Sequence, residues 1–413
     1  MQIAYKMEKV YTSIISYAIF VGTLTIVFIN LLSLFFPALL IAVTIGTENR
    51  IDPFEIGIWT VQFLVINLVI LGFGLLYYKK SLPSKIVNAF RFILNFEVSR
   101  KVATIVFISL LSIYVAFTIP ELGQKEGDTW KDWEVLGPII EDFPDGGENL
   151  MQLRNLYVNN FLLFSSQTVF QNVKLLPFFA SMSLIIVTYL LTAQISQKRF
   201  AGLVAVVVLL QSHTFLRYDT TATYSNFWSV FYIVSIYFIY KKWPLAPIAY
   251  IASIFSKVLT IAFLPMTVFF IFRTQTSKKT KIYLTSAFLI IFALVLGVLI
   301  FGKNFGYDES LTSYEFSDFV SGFTAWAFQL RIDGVVLVFL LPLIIGLFLK
   351  SRKGIKDADS IMVMIAGLIL SVPLLAGFTE FNIQPYRWIP LITFFAIGVG
   401  TLLSKTSANR PEN

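Results

Sequence analysis

The chain has 413 residues, of which 57% are hydrophobic and 14% charged, and its mean hydropathy is +0.77. An average soluble domain has roughly 25% charged residues, so this composition predicts an integral membrane protein. The absence of cysteine excludes disulfides, thiolate nucleophiles and cysteine metal sites. The net charge is +8, but the basic residues lie in short connectors between apolar runs, which argues against nucleic acid as a partner.

Twelve apolar runs predict an all-α, polytopic transmembrane bundle of about twelve spans. Most are close to the roughly 20 residues needed to cross a hydrocarbon core of about 30 Å. An even number of spans puts both chain ends on one side of the membrane. The predicted spans are residues 11–34, 55–78, 102–119, 175–193, 200–216, 224–240, 244–256, 258–272, 282–301, 335–349, 361–378 and 388–404.

The charges of the connectors orient this bundle. Connectors and tails on the side of the chain ends hold 22 of the 32 Lys and Arg residues, but only 5 of the 24 Asp and Glu residues. Positive charge marks the cytoplasmic side of membrane proteins. We therefore expect a multi-pass protein of the plasma membrane with both termini cytoplasmic.

The sequence divides into three parts. Residues 1–100 hold two N-terminal spans and a cytoplasmic interfacial segment, residues 101–404 form the transmembrane core, and residues 405–413 are a cytoplasmic tail. In the interfacial segment, Ile86, Phe90, Ile93 and Leu94 repeat at helical spacing among basic residues. This spacing predicts a helix on the inner membrane surface, either touching lipid headgroups or serving as a plain connector.

Two stretches of the predicted bundle are irregular. The first apolar stretch is too long for one straight span, and Asn30 and Pro37 interrupt it, so we expect a kink or a short interfacial segment. Residues 244–272 form either one bent helix or two short helices. Basic residues at both ends of that stretch favour two helices that turn near Lys257.

The outer loop, residues 120–174, is the one long segment that is neither lipid-like nor basic, and it holds nine of the chain's 24 carboxylates. Apolar residues from Trp130 to Phe143 mark one face of a helical stretch that Gly137 and Pro138 interrupt. We expect two short interfacial helices, with Trp130 and Trp133 at headgroup depth. Asp128 would begin the first helix, where it can serve as an N-cap.

Ionisable residues recur at the outer ends of helices. Asp128 and Asp132 are four residues apart and share a helical face. In FLRYDTTATYSNFW, Arg217 and Asp219 lie in a short outer turn, either as part of a site or as a local ion pair. Further candidates are Lys257, at the turn of 244–272, and Arg387 with its neighbour Tyr386, which open the last helix in QPYRWIPLITFF.

A carboxylate facing cations suits transfer of a sugar from a polyprenyl phosphate. The carboxylate would accept the proton of the acceptor hydroxyl, and arginine would stabilise the charge that develops on the departing phosphate. The planar fork of Arg fits phosphate better than a surface Lys does. The sequence contains no phosphate-binding GxxxxGK[ST] loop and no HExxH motif, so the donor would have to be delivered within the membrane.

The chain resembles the GT-C class of integral membrane glycosyltransferases, which includes protein O-mannosyltransferases and lipid A aminoarabinose transferases. The resemblance rests on the acidic outer loop with GDTW, on the FLRYDTTATYSNFW turn with the spans that follow it, and on QPYRWIPLITFFAIGVGTLL. It covers residues 100–404. The Asp-Glu pair of the O-mannosyltransferases is absent because Thr129 follows Asp128.

This resemblance implies an inverting transferase in which Asp128 is the catalytic base and Arg387 binds the lipid phosphate. Arg217, Lys257 and Tyr386 are further donor-binding candidates. Asp132 would be a second base or a ligand of a divalent metal ion, which the sequence leaves open. Trp130, Trp133 and Asp219 would contact the sugar or an acceptor that is a lipid, a glycan or a protein. The alternatives are a polysaccharide polymerase, a lipid-linked saccharide flippase or transporter, and a non-catalytic membrane subunit.

Overall fold

A computed structural model of the chain describes residues 2–37, 39, 54–143, 157–241, 243–301, 314–320, 322–323, 333–377 and 385–404. The predicted tail at 405–413 and the middle of the outer loop, residues 144–156, lie outside this set. Within it the regular structure is helical and no β-strand occurs, which confirms the all-α prediction.

Helices follow one another along the described chain with short connectors. They are, in order, α1 (Gln2–Phe35), α2 (Thr60–Tyr78), α3 (Ser84–Asn95), α4 (Arg100–Leu122), α5 (Glu126–Thr129), α6 (Trp133–Glu141), α7 (Tyr157–Phe170), α8 (Leu175–Ser196), α9 (Arg199–Leu210), α10 (His213–Arg217), α11 (Phe227–Lys241), α12 (Leu245–Ser256), a 3₁₀ helix (Val258–Phe263), α13 (Leu264–Arg273), α14 (Lys278–Phe301), α15 (Gly334–Arg352), α16 (Asp357–Ala376), a second 3₁₀ helix (Pro385–Trp388) and α17 (Ile389–Thr401).

Five of these helices are long and apolar enough to cross a membrane. They are residues Ile14–Phe35 of α1, and α2, α4, α8 and α15. Each of the other predicted spans also contains a helix, but several are short; α9 has 12 residues, about 18 Å at 1.5 Å per residue. The structure therefore supports a helical membrane-type protein.

The chain forms two compact units, and the first comprises residues 1–99, 192–212 and 311–413. Its centre is α17, whose side chains are buried from Ile389 to Gly398. Small residues allow close packing there, because a Cβ on Gly400 would lie 2.7 Å from the backbone oxygen of Ala201 in α9. A buried polar contact joins α1 to α16, in which Ser16 Oγ donates to Asp359 Oδ2 at 2.9 Å.

The second unit comprises residues 100–191 and 213–310. Its helices α11 and α12 are joined by buried hydrogen bonds, in which Ser253 Oγ donates to the Trp228 carbonyl at 2.6 Å and Ser235 Oγ donates to the Ala246 carbonyl at 2.8 Å. The described part of the outer loop belongs to this unit. So does the turn between α10 and α11, which carries Asp219.

The two irregular stretches differ in outcome. The predicted break at Lys257 is confirmed, because α12 ends at Ser256 and Lys257 is extended, with φ −162° and ψ 120°. The 3₁₀ helix that follows packs back on α12, where Tyr250 donates to the Thr260 carbonyl at 2.8 Å. In the first stretch Asn30 does not interrupt the helix, and the expected kink or short interfacial segment stays a prediction because residues 40–53 lie outside the described set. Asn30 Nδ2 donates to the Ile26 carbonyl at 2.8 Å, and α1 continues to Phe35, just before Pro37.

The outer loop forms two short helices, as predicted, but its break lies elsewhere. The helices α5 and α6 are separated at residues 130–132, and α6 continues through Gly137 and Pro138. Pro138 is the sixth of the nine residues of α6, and its missing N–H costs one intrahelical bond. The predicted N-cap role of Asp128 is also wrong, because Asp128 is the third residue of α5.

Candidate functional site

A buried glutamate fastens the outer loop to the turn between α10 and α11. Glu126 opens α5 and is 4% exposed. Its Oε1 accepts hydrogen bonds from Thr221 Oγ1 at 2.6 Å, from the Thr223 backbone N–H at 2.8 Å and from Thr223 Oγ1 at 2.9 Å. We call residues 219–226 the threonine turn. Three bonds to one charged oxygen hold α5 firmly against this turn.

Lys174, at the end of the outer loop, supplies the charge that balances Glu126. Its Nζ lies 3.4 Å from Glu126 Oε2, and the two side chains are only 5% and 1% exposed. Lys174 Nζ also donates to the Glu121 carbonyl at 3.4 Å, and Asn172 Nδ2 donates to the Leu122 carbonyl at 3.0 Å. These last carbonyls of α4 carry partial negative charge, which the ammonium group complements. The Glu126–Lys174 pair thus ties both ends of the outer loop to α4.

An aromatic cluster joins the loop to the same turn. The Trp130 ring stacks on Tyr218, with centroids 5.2 Å apart and an angle of 23°, and meets Tyr224 edge-on at 5.0 Å. The guanidinium carbon of Arg217 lies 5.5 Å from the Trp130 centroid, within the range of a cation–π contact. The Tyr224 hydroxyl donates to Asp132 Oδ2. Four predicted site residues, Trp130, Asp132, Arg217 and Asp219, therefore lie on two segments that pack together.

Asp219 is buried in the threonine turn rather than exposed in it. Its side chain is 2% exposed, and Oδ2 accepts a hydrogen bond from Thr118 Oγ1 of α4 at 3.3 Å. Burial, and after it the negative charge of Glu121, raise the pKa of Asp219 to about 7, although hydrogen bonds from Tyr114 and Thr118 act in the opposite direction. Asp219 thus binds a proton more readily than an exposed aspartate. Its contact with sugar stays a prediction.

Asp128 is one of several exposed carboxylates in the described part of the outer loop. It lies on α5, two residues after the buried Glu126 and two before Trp130. Among the described residues no hydrogen bond or ion pair occupies its carboxylate. Trp133 is half-buried, with its indole over Gly137 of its own helix, where an added Cβ would lie 3.1 Å from Nε1. Asp128 is thus an accessible carboxylate on an anchored helix.

The other predicted cations lie on other segments of the chain. Lys257 Nζ is 5.9 Å from the Trp228 ring centroid, at the break between α12 and the 3₁₀ helix. Arg387 is half-buried in the 3₁₀ helix that precedes α17, and Tyr386 beside it is 7% exposed. Arg387 belongs to the first unit and Asp128 to the second. A shared cavity for these two residues therefore stays a prediction.

Within the described ranges, no three His, Cys, Asp or Glu side chains are grouped so that they could hold a metal ion. The predicted divalent ion therefore remains a hypothesis that rests on the sequence.

Sequence reasoning missed the residues that fix the loop. Glu126 is one of nine loop carboxylates, and Lys174 reads as one more connector cation. One feature of the sequence pointed to this contact. The hydroxyl-rich run TTATYS offers many hydrogen-bond donors, and the predicted topology puts it on the same side of the membrane as the acidic outer loop. Which carboxylate those donors hold depends on packing.

Together the fold and the site define a helical membrane-type protein with a rigidly held acidic segment beside an arginine. No protein-family model, no curated protein and no solved structure matches this chain.

Proposed function

We propose that the protein is a polytopic membrane glycosyltransferase of GT-C type that moves a sugar from a polyprenyl-phosphate donor to an acceptor on the extracytoplasmic face. The observation that carries the proposal is the exposed Asp128 carboxylate on α5, a helix that Glu126 and Lys174 anchor and that is followed by Trp130, whose ring Arg217 contacts. A fixed carboxylate next to a cation fits proton removal coupled to departure of a phosphate.

Each residue has a defined part in the proposed reaction. The acceptor hydroxyl oxygen attacks the anomeric carbon and forms the new glycosidic bond, and its proton passes to Asp128. The bond between the anomeric carbon and the phosphate oxygen breaks, and polyprenyl phosphate leaves with the electron pair. Arg217 stabilises the negative charge on that phosphate. Phosphate contacts of Lys257, Tyr386 and Arg387 stay predictions from the sequence.

The packing around Asp128 supports its role as a general base. A base must be held in place, because a displacement of about 1 Å can cost on the order of 100-fold in rate. Glu126 lies on the same short helix as Asp128, and its three hydrogen bonds to the threonine turn fix that helix. Glu126 and Lys174 are therefore positioning residues in this proposal.

The proposed topology has about twelve spans in the plasma membrane, with both termini cytoplasmic and the outer loop outside. In this arrangement, residues of the neighbouring connectors complete the membrane crossings of short helices such as α9 and α12. The donor phosphate then lies at the outer membrane surface, at the level of the short helices α5 and α6.

The function is tested with the full chain in lipid vesicles. We expect transfer of a labelled sugar from a polyprenyl-phosphate donor to an added acceptor, and none from a nucleotide sugar. A flippase would move the lipid-linked sugar across the bilayer without forming a new glycoside. Movement of the donor across the bilayer, with no new glycoside formed on any acceptor tried, would therefore contradict the proposal.

Arg217 gives a sharper test of the same site. Arg217→Ala removes the guanidinium, while Arg217→Lys keeps the charge and loses the planar fork. We expect both variants to weaken transfer, and Arg217→Ala to do so more strongly. Rates equal to the parent's in Arg217→Ala would exclude this residue from the site.

A further inference from the structure

The helix α3 exposes an apolar face to its surroundings. None of its 12 residues is buried. The exposed fractions are 45% for Phe90, 49% for Ile93 and 37% for Leu94. These residues lie with Ile86 and Val87 on one side of the helix, at spacings of three, four and seven. The described part of the chain therefore leaves this face largely uncovered.

Cations border the apolar face on both sides. At 100° per residue, Lys85 lies at one edge of the face and Arg91 at the other, with Asn88 and Asn95 between them on the polar side. The run from residue 79 to residue 96 contains four Lys and Arg residues and no Asp or Glu. Cations at the edges of an apolar face can contact the lipid phosphates, which lie beside the apolar layer of a bilayer.

The ends of α3 keep it near a membrane surface. It starts at Ser84, shortly after α2 ends at Tyr78, and it ends at Asn95, shortly before α4 begins at Arg100. Both α2 and α4 are long and apolar enough to cross a membrane. A five-residue connector spans at most about 18 Å. These short connectors keep α3 close to the surface at which α2 ends.

The C-terminal end of α3 is anchored within the first unit. Lys198 Nζ donates to the Leu94 carbonyl, and this cation complements the negative end of the helix. Phe96 packs edge-on against Phe200 with centroids 4.8 Å apart. Glu97 Oε1 accepts a hydrogen bond from the Arg199 backbone N–H at 3.1 Å. The helix is thus fixed in place at one end, while the described residues leave its apolar face largely exposed.

We propose that α3 is a binding surface for anionic phospholipids. Its apolar face enters the boundary of the acyl chains, and Lys85 and Arg91 contact the headgroup phosphates. This inference depends on the membrane location of the protein and not on the glycosyltransferase reaction.

Because the chain contains no cysteine, single labels can test the proposal in the full protein. Ile93→Cys and Asn88→Cys, each carrying a nitroxide, are reconstituted in phosphatidylcholine vesicles with and without phosphatidylglycerol. We expect the label at position 93 to be reached by oxygen dissolved in the lipid and shielded from a water-soluble nickel chelate. The label at position 88 should show the opposite pattern. Equal access of the chelate to both labels would overturn the proposal.

The headgroup preference is tested by charge. Replacing Lys85 and Arg91 by Gln should lower the ratio of immersed to detached label at position 93 by about fivefold per cation in vesicles with phosphatidylglycerol. In vesicles of phosphatidylcholine alone the replacements should have little effect. An equal effect in both lipids, or no effect in either, would refute the role of anionic lipid.

Two phenylalanines offer a matched control. Phe90 lies on the apolar face, whereas Phe92 lies beside Lys85 on the other side and is 66% exposed. Phe90→Gln should detach the label at position 93, and Phe92→Gln should leave it immersed. Because neither residue is buried, both variants should keep the protein folded. Identical behaviour of the two variants would contradict insertion of the apolar face.

Discussion

Lys174→Met removes one partner of the Glu126–Lys174 pair and leaves Glu126 buried without a counter-charge. Both side chains are almost completely shielded, at 5% and 1% exposure, so solvent cannot replace the lost cation. Breaking such a pair costs about 3–5 kcal/mol. The Nζ to Oε2 distance of 3.4 Å is longer than a short charge-assisted bond, which favours the lower end, about 3 kcal/mol.

The cost should appear as local opening of the outer loop. Hydrogen exchange of the amides between residues 126 and 143, measured in lipid nanodiscs, should accelerate on the order of 100-fold, because each 1.4 kcal/mol is a factor of ten. Lys131→Met, at an exposed position of the same loop, is the matched control and should change exchange little.

The double variant Glu126→Gln with Lys174→Met separates charge from shape. The glutamine side chain keeps an oxygen for the donors of Thr221 and Thr223 but carries no charge, so much of the lost protection should return. The stabilising role of Lys174 would be refuted if Lys174→Met left exchange at the level of Lys131→Met. It would also be refuted if the double variant lost as much protection against exchange as the losses of the two single variants added together.

Three further predictions concern stability. The pKa of Asp219 is raised from 3.8 to about 7, so between these pH values the folded protein holds a proton that the unfolded chain releases. The resulting contribution to the free energy of unfolding is complete below about pH 4 and is lost as the pH rises through about 7. It amounts to at most about 4 kcal/mol. Thermal unfolding across that range should show this slope in the parent and not in Asp219→Asn. Gly400→Ala would place a Cβ 2.7 Å from the Ala201 oxygen and should lower the melting temperature, whereas Gly72→Ala, with open space around it, should raise it slightly. Gln171 has φ 53°, so Gln171→Gly should be tolerated and Gln171→Val should destabilise by about 1–2 kcal/mol.

The sequence predicted features that depend on local pattern. The apolar side chains of the outer loop recur at helical spacing, and Ile140 and Phe143 are indeed buried while Lys131 and Glu134 are exposed. The break at Lys257 was predictable because basic residues flank residues 244–272 at both ends, which favours two short helices over one. Such features follow from the chain's own periodicity and charge, which act over a few residues.

Features set by contacts between distant segments were not predictable. Asn30 looked like an interruption, but its side chain bonds within α1 and the helix continues. Glu126 and Lys174 are separated by 48 positions, and which of nine acidic loop residues meets the threonine turn is decided by the three donors that this turn presents. Periodicity carries no information about such a choice, so the sequence drew attention to Asp128 and missed its anchor.

The catalytic use of Asp128 is tested most directly by Asp128→Asn in the vesicle transfer assay. Asn cannot accept the proton of the acceptor hydroxyl, so the rate of transfer from the polyprenyl-phosphate donor should fall by about 100-fold or more. Exchange protection of the outer loop should stay unchanged, because no hydrogen bond or ion pair joins the Asp128 carboxylate to another described residue. Asp132→Asn, whose carboxylate accepts a bond from Tyr224, should lose less activity. A rate for Asp128→Asn equal to that of the parent would contradict the proposed mechanism.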